Sequence, residues 1–148
     1  MKIAIGSDHA GFAAKENVKR YLESKGHTVE DFGTYSDESC DYPDFAYAAA
    51  KAVADGDADR GVLICSTGVG ISIAANKVKG IRCALCYEEV CAEFCRRHND
   101  ATVIAMGAKM TPVEKMEKLV DIFLSTNFEG GRHERRVNKI SAIENDLK

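Results

Sequence analysis

Residues 61–78 read GVLICSTGVGISIAANKV, and this stretch contains the pattern that decides the fold. The unbroken apolar run over 61–65 is typical of a strand that is buried on both faces. A glycine-containing turn over 66–70 follows it, and the spacing of apolar residues over 71–78 predicts a helix. A buried strand that leads directly into a helix is the repeating unit of a parallel sheet covered by helices.

The same unit recurs along the rest of the chain. Apolar runs predict four further strands, at 2–5, 27–32, 81–86 and 102–106. Segments with apolar residues three or four positions apart separate these strands, and this spacing predicts helices. The alternation predicts one α/β domain over residues 1–148, with a five-stranded, mostly parallel sheet and helices on both faces.

Length, composition and charge exclude several classes of protein. The chain has 148 residues, is 45% hydrophobic and 29% charged, and carries a net charge of −3. A domain of this size and composition needs no disulfide or metal to fold, and its acidity argues against general nucleic-acid binding. No apolar run reaches the ~18–20 residues that cross a bilayer, and the first residues show no signal-peptide pattern. We therefore expect a cytoplasmic protein with neither membrane nor nucleic-acid partners, whose six cysteines are thiols.

The C-terminal segment has helical spacing, but no strand follows it. One helical face carries Arg132, Arg136, Ile140, Ile143 and Leu147. Two arginines four residues apart form a fork that suits phosphate, although a solvated basic face is the simpler alternative. Because the stripe turns apolar further along, we expect it to face another part of the protein and the helix to serve in dimerisation.

Two segments that could carry chemistry follow strands of the predicted sheet. In an open parallel sheet, ligands bind beyond the carboxyl ends of the strands. Asp8 and His9 follow the first strand, and Cys65 begins the segment CSTGVG after the third. Glycines at 68 and 70 free the backbone to direct N–H groups at an anion, and a thiolate there would be the reactive form of Cys65. The alternatives are that Cys65 is a small buried hydrophobe and that Asp8 caps the next helix.

A third segment, RHND at 97–100, lies before the fifth strand, where a helix ends. This order places His98 and Asn99 at the opposite edge of the sheet from Cys65. Either His98 is only a helix C-terminal residue, or it belongs to a site that two subunits share. Tyr42, which precedes Pro43, is either a site hydroxyl or a packing residue.

Cofactor and metal patterns are weak. Cys83-x2-Cys86 and Cys91-x3-Cys95 suggest four thiolates. However, the first pair would point to opposite faces of a strand, and the second pair is expected on the buried stripe of a helix. GSDHAG has the wrong spacing for a dinucleotide fingerprint. We predict no metal and no cofactor.

Taken together, six segments identify a family resemblance. They read KIAIGSDHAG, DFGTY, DYPDFA, ICSTGVGISIAANKVKGIRCA, RRHNDATVIAMG and FEGGRHERRVNKI, and they are spread along the chain from residue 2 to residue 140. The chain resembles type B ribose-5-phosphate isomerases, whose family also includes galactose-6-phosphate isomerase subunits. The resemblance implies a Rossmann-like three-layer sandwich that forms a homodimer or homotetramer, with active sites between subunits. It also implies interconversion of ribose 5-phosphate and ribulose 5-phosphate, in the non-oxidative pentose phosphate pathway, without metal or nucleotide.

The resemblance also implies residue roles. Cys65 would move the proton between C1 and C2, His98 would act as the acid that opens the sugar ring, and Asp8 would lie beside the reacting end. The residues that would hold the enediolate oxygens are Ser66, Thr67, Gly68, Val69 and Gly70. The phosphate would be held by His9, Lys109, Arg132 and Arg136, and further sugar contacts would come from Tyr42 and Asn99.

Two positions depart from the family pattern. Residue 66 is Ser where many members have Gly, and residue 109 is Lys where Arg is common. Lysine keeps the charge but not the bidentate fork, so phosphate affinity could differ. Three other functions are compatible with the sequence: a hexose 6-phosphate isomerase, a non-catalytic sugar-phosphate sensor, and a thiol or metal-binding protein. Cys65 favours the pentose substrate, because galactose-6-phosphate isomerase subunits of the family often lack it.

Overall fold

The computed structural model describes residues 1–146. The strands are β1 (Lys2–Ser7), β2 (Thr28–Asp31), β3 (Arg60–Cys65), β4 (Cys83–Leu85) and β5 (Val103–Gly107). The helices are α1 (Phe12–Ser24), α2 (Tyr42–Ala54), α3 (Val69–Ala75), α4 (Glu89–Arg97), α5 (Val113–Ser125) and α6 (Arg132–Glu144). Leu147, which the sequence places on the stripe of the last helix, lies outside the described residues.

The five strands form one sheet in the order β2-β1-β3-β5-β4. All four strand pairs are parallel, so the expectation of a mostly parallel sheet is confirmed, and the sheet is parallel throughout. β1 extends to Ser7, two residues beyond its predicted end, because its last two residues pair with Leu63 and Ile64 of β3. β4 is only three residues long, half its predicted length, because it lies at the sheet edge and pairs only with β5.

Helices cover both faces of the sheet, which confirms the three-layer arrangement. Helices α1, α4 and α5 pack on one face, where Ile64 of β3 lies among residues such as Val18 and Phe123. Helices α2 and α3 pack on the other face, where Leu63 meets Ala49 and Ile71. Adjacent residues of β3 thus serve opposite cores, as the continuous apolar run predicts.

The C-terminal helix α6 differs from the expected orientation. Its buried residues are His133 and Val137, whereas Arg132 and Arg136 are exposed. Ile140 and Ile143 are also exposed, and they line a cavity of about 600 Å³ between α6 and the edge strand β4. The sequence predicted that the face with Arg132, Arg136, Ile140 and Ile143 packs against another part of the protein. Within a single chain this prediction is wrong, because α6 buries the neighbouring face with His133 and Val137 instead. Among residues 1–146, no helix combines the length and apolar composition that crossing a membrane requires.

Candidate active site

The loop after β3 holds Cys65 beneath a backbone amide. The side chain of Cys65 is buried, and its Sγ accepts a hydrogen bond from the N–H of Gly68 at 3.2 Å. Gly68 has a φ of +82°, and a Cβ at this position would lie 2.8 Å from the carbonyl carbon of Met106. Only glycine satisfies both the left-handed conformation and this close approach to β5. The glycine in the motif is therefore required to place the N–H against the sulfur.

Three hydrogen bonds attach this loop to its neighbours. The Ala108 N–H donates to the Cys65 carbonyl oxygen at 2.8 Å, and the Lys109 N–H donates to the Ser66 carbonyl oxygen at 2.9 Å. The hydroxyl of Tyr87 donates to the Thr67 carbonyl oxygen at 2.7 Å. Tyr87 was not predicted as a site residue, although it follows the carboxyl end of the fourth strand, where ligands of an open parallel sheet bind.

The segment after β1 also lies beyond the carboxyl ends of the strands, on the same side of the sheet as the loop after β3. Asp8 is buried, and its Oδ1 accepts the Gly11 N–H at 3.0 Å, which holds the turn before α1. The N-cap of α1 is Gly11 and receives no side-chain cap hydrogen bond, so the alternative role of Asp8 as the helix cap is not observed. His9 Nδ1 accepts the Cys40 N–H at 3.2 Å. Because Nδ1 is the acceptor, the neutral His9 ring carries its proton on Nε2 and can donate it to an anion.

Tyr42, at the start of α2, packs directly against the loop after β3. A Cβ at Gly70 would lie 2.7 Å from the Tyr42 ring and 3.0 Å from its hydroxyl oxygen. Tyr42 therefore packs against the loop, as one of the two alternatives predicted. This packing places its hydroxyl at the carboxyl edge of the sheet. Ten of the expected site residues belong to this edge, which we call the carboxyl-edge half-site: Asp8, His9, Tyr42, Cys65, Ser66, Thr67, Gly68, Val69, Gly70 and Lys109.

The remaining expected site residues lie at the opposite edge. His98 is the residue at which α4 ends, and its ring stacks on His133 with centroids 4.2 Å apart and planes inclined by 7°. Glu129 lies 3.7 Å from His98 Nε2 and 3.8 Å from His133 Nε2. We call His98, Asn99, Glu129 and the start of α6, with Arg132, His133 and Arg136, the amino-edge half-site. Glu129 and His133 were not predicted as site residues, although both lie in the segment FEGGRHERR that carries the basic cluster.

The charges of the amino-edge half-site suit an anion. A hydrogen bond from Arg97 lowers the pKa of Glu129, so this carboxylate remains ionised and is already neutralised. Burial, His98 and Arg132 lower the pKa of His133, which favours its neutral ring. Arg132 and Arg136 are exposed and take part in no ion pair with another of the described residues 1–146, so their positive charge is available to an anion.

The same cluster suits a metal ion poorly. Ligand atoms of His98, Glu129 and His133 lie within 4.8 Å of one another. However, the two rings are parallel, so their nitrogen lone pairs do not converge as a tetrahedral metal ion requires. Arg97 also occupies the carboxylate, with Nε 2.7 Å from the Glu129 oxygen.

The four-cysteine pattern also suits a metal poorly. Cys91 is exposed while Cys95 is buried, so the expectation that both lie on the buried stripe of α4 is wrong. Burial raises the pKa of Cys83 to about 12. A hydrogen bond with Cys95 and burial raise the pKa of Cys86. Among the described residues 1–146, these cysteines do not bring three ligand atoms close enough together to hold a metal ion.

The chain closely resembles known proteins. A solved structure of ribose-5-phosphate isomerase B from Clostridium thermocellum matches with a TM-score of 0.98 and 48% identity over 100% of both chains. The enzyme of that name from Mycoplasma genitalium, solved with bound ribulose-5-phosphate, matches with a TM-score of 0.93 and 44% identity, over 98% of this chain and 97% of that one. Ribose-5-phosphate isomerase B of Escherichia coli is 49% identical over 143 residues, which cover 97% of this chain and 96% of the relative. Galactose-6-phosphate isomerase subunit LacB of Clostridium acetobutylicum is 44% identical, over 99% of this chain and 86% of that protein.

The fold and the relatives agree on the class: the chain is an enzyme of the α/β class, an isomerase. It belongs to the Ribose/Galactose Isomerase family, whose model matches residues 3–140.

Proposed function

We propose that this isomerase interconverts ribose 5-phosphate and ribulose 5-phosphate through an enediolate, with Cys65 as the base. The observation that carries the proposal is the hydrogen bond from the Gly68 N–H to Cys65 Sγ, at the carboxyl end of a central strand. A backbone N–H directed at sulfur is a hydrogen-bond partner for the thiolate, which is the form that can take a proton.

The proposed reaction starts from the open-chain aldose. The Cys65 thiolate takes the proton from C2, and the electron pair moves to form an enediolate with its charge on O1. Thr67 and the backbone amides of the loop stabilise this charge, which is the interaction that lowers the barrier most in such reactions. Cys65 returns the proton to C1 while the hydroxyl proton moves from O2 to O1, which gives the ketose and restores the thiolate. Asp8 orients the reacting end.

The ring must open before C2 becomes acidic, and we assign this step to His98 as a general acid on the ring oxygen. His98 lies at the amino edge of its own chain, so we propose that each active site combines the carboxyl-edge half-site of one chain with the amino-edge half-site of a second copy. His9 and Lys109 of the first chain, with Arg132 and Arg136 of the second, then bind the phosphate. Tyr42 and Asn99 contact the sugar.

The test is a coupled assay of ketose formation from ribose 5-phosphate by the purified protein, run with and without a chelator. We expect turnover in both conditions. Absence of turnover, or its loss on chelation, would reject the proposal. All six cysteines, which lie within residues 1–146, are free thiols, and we propose that the enzyme works in the reducing cytoplasm.

A second candidate substrate is a hexose 6-phosphate such as allose or galactose 6-phosphate. The similarity to the LacB subunit favours testing it. The same assay with both sugars separates the candidates, because kcat/KM for the preferred substrate should exceed the other by about tenfold or more. Faster turnover of the hexose would replace the pentose assignment.

A further inference from the structure

Tyr87 lies between β4 and α4, outside the loop after β3, yet it is connected to the sulfur of Cys65 through one peptide group. Its hydroxyl donates to the Thr67 carbonyl oxygen at 2.7 Å. The C=O of Thr67 and the N–H of Gly68 are the two ends of the same planar peptide unit. That N–H donates to Cys65 Sγ at 3.2 Å. The phenol, the peptide and the sulfur therefore form a continuous chain of hydrogen bonds.

From this chain we infer that Tyr87 is a positioning residue, which holds and polarises the Thr67–Gly68 peptide so that its N–H stabilises the Cys65 thiolate. The inference rests on the proposed role of Cys65 as the base. A hydrogen bond to a carbonyl oxygen draws electron density from the attached N–H and makes it a stronger donor, an effect that is largest where water is excluded. Cys65 and Gly68 are both buried, so water is excluded at the sulfur end of this chain of hydrogen bonds, whereas the hydrogen bond from Tyr87 to Thr67 is exposed.

The packing around the peptide supports the same role. A Cβ at Gly107 would lie 2.4 Å from the Thr67 carbonyl oxygen, so the strand β5 backbone closes one side of this carbonyl. Among residues 1–146, no other hydrogen-bond donor reaches it. Removal of the phenol would therefore leave the carbonyl without its partner and allow the peptide plane to rotate, which weakens the N–H contact with the sulfur.

The experiment follows the titration of Cys65 itself. Protein labelled with ¹³C at cysteine Cβ is titrated, and the Cys65 signal is assigned by its loss in Cys65→Ala. In Tyr87→Phe, we expect the midpoint to move to higher pH by about 0.3 to 1 unit, the equivalent of roughly a two- to tenfold loss of thiolate at a fixed pH below the midpoint. The value of kcat near neutral pH should fall by a similar factor while KM stays unchanged.

Tyr47→Phe is the matched control. Tyr47 is an exposed tyrosine on the outer side of α2, and its variant should keep the wild-type midpoint and kcat. If Tyr87→Phe folds poorly, 3-fluorotyrosine at position 87 keeps the shape, strengthens the donor and should move the midpoint to lower pH. A midpoint that is unchanged in both Tyr87 variants overturns the inference. Because the titration needs no substrate, this failure is distinguishable from failure of the isomerase assay.

Discussion

The reactivity of a cysteine at the end of a strand depends on what faces its sulfur. Here a backbone N–H faces Cys65 at 3.2 Å, so truncation of the side chain removes the base and leaves the amide in place. We expect Cys65→Ala to lower kcat by a factor of about 10²–10⁴, the contribution typical of a general base. Binding of ribose 5-phosphate, measured by calorimetry, should persist because the residues that we propose to bind the phosphate are unchanged.

The control for this variant is Cys91→Ala. Cys91 is an exposed thiol on α4, and its loss should leave both turnover and binding unchanged. A Cys65→Ala enzyme with wild-type kcat would contradict the assignment of the base.

His133 makes the fold sensitive to pH. Its folded pKa lies below 6.5 because of burial and because His98, Arg132 and Arg136 oppose a second charge, an effect that Glu129 only partly offsets. The unfolded chain therefore takes up this proton at higher pH than the folded chain. The stability that neutral His133 contributes is fully present above about pH 6.5, and it is lost as the pH falls toward and through the folded pKa.

The corresponding variant is His133→Gln, which cannot titrate. Its Tm, measured by thermal unfolding at a series of pH values, should depend less on pH between about 5 and about 7 than that of the wild type. The comparison concerns slopes, because loss of the stacked ring lowers Tm at every pH. Equal slopes for the two proteins would show that other groups carry the acid sensitivity.

At the scale of an element, the turn between β3 and α3 requires glycine, a residue without a side chain, at position 68. Gly68 and Gly56 share a φ of +82°, but only Gly68 has neighbours within reach of a Cβ. The left-handed conformation alone costs a non-glycine residue about 1–2 kcal/mol. We expect Gly56→Ala to lower the free energy of unfolding by about this amount and to keep full activity.

Gly68→Ala carries the same conformational cost and must also displace the Met106 backbone. Its unfolding free energy, measured in urea, should fall further than that of Gly56→Ala. Its kcat should fall by at least about tenfold, because movement of the loop withdraws the N–H from the sulfur. Equal losses of stability in the two variants would mean that the turn relaxes around the added methyl group.

The helices and strands differ in how well the sequence predicts them. β3, a central strand buried on both faces, was predicted within one residue of its start and at its observed end, because its apolar run is continuous. The edge strand β4 was predicted at twice its observed length, and the buried face of α6 was predicted wrongly, since both depend on contacts that local periodicity does not encode. The burial of His133 on one face of α6, for example, reflects a stacking partner 35 residues earlier in the chain.

At the scale of the whole molecule, topology predicts which edge each candidate residue occupies but not its partners. The order of strands and helices placed Cys65 and His98 at opposite edges, as observed. The contacts from Tyr87 to Thr67 and from Tyr42 to Gly70 join residues separated by 20 or more positions, and they depend on how the layers pack. The carboxyl-edge half-site could therefore be located from sequence, whereas its internal hydrogen bonds could not.

The separation of the two half-sites leads to a prediction about assembly. Cys65→Ala and His98→Asn should each be inactive as pure proteins. If each site takes Cys65 from one chain and His98 from another, a mixed dimer has one site with both substitutions and one with neither. Random reassociation of equal amounts gives half mixed dimers, so about a quarter of all sites should become active. The measurement is ribose 5-phosphate turnover after unfolding and refolding the two variants together. Activity no higher than that of the separate variants would place both residues in one chain's site and would reject the shared arrangement.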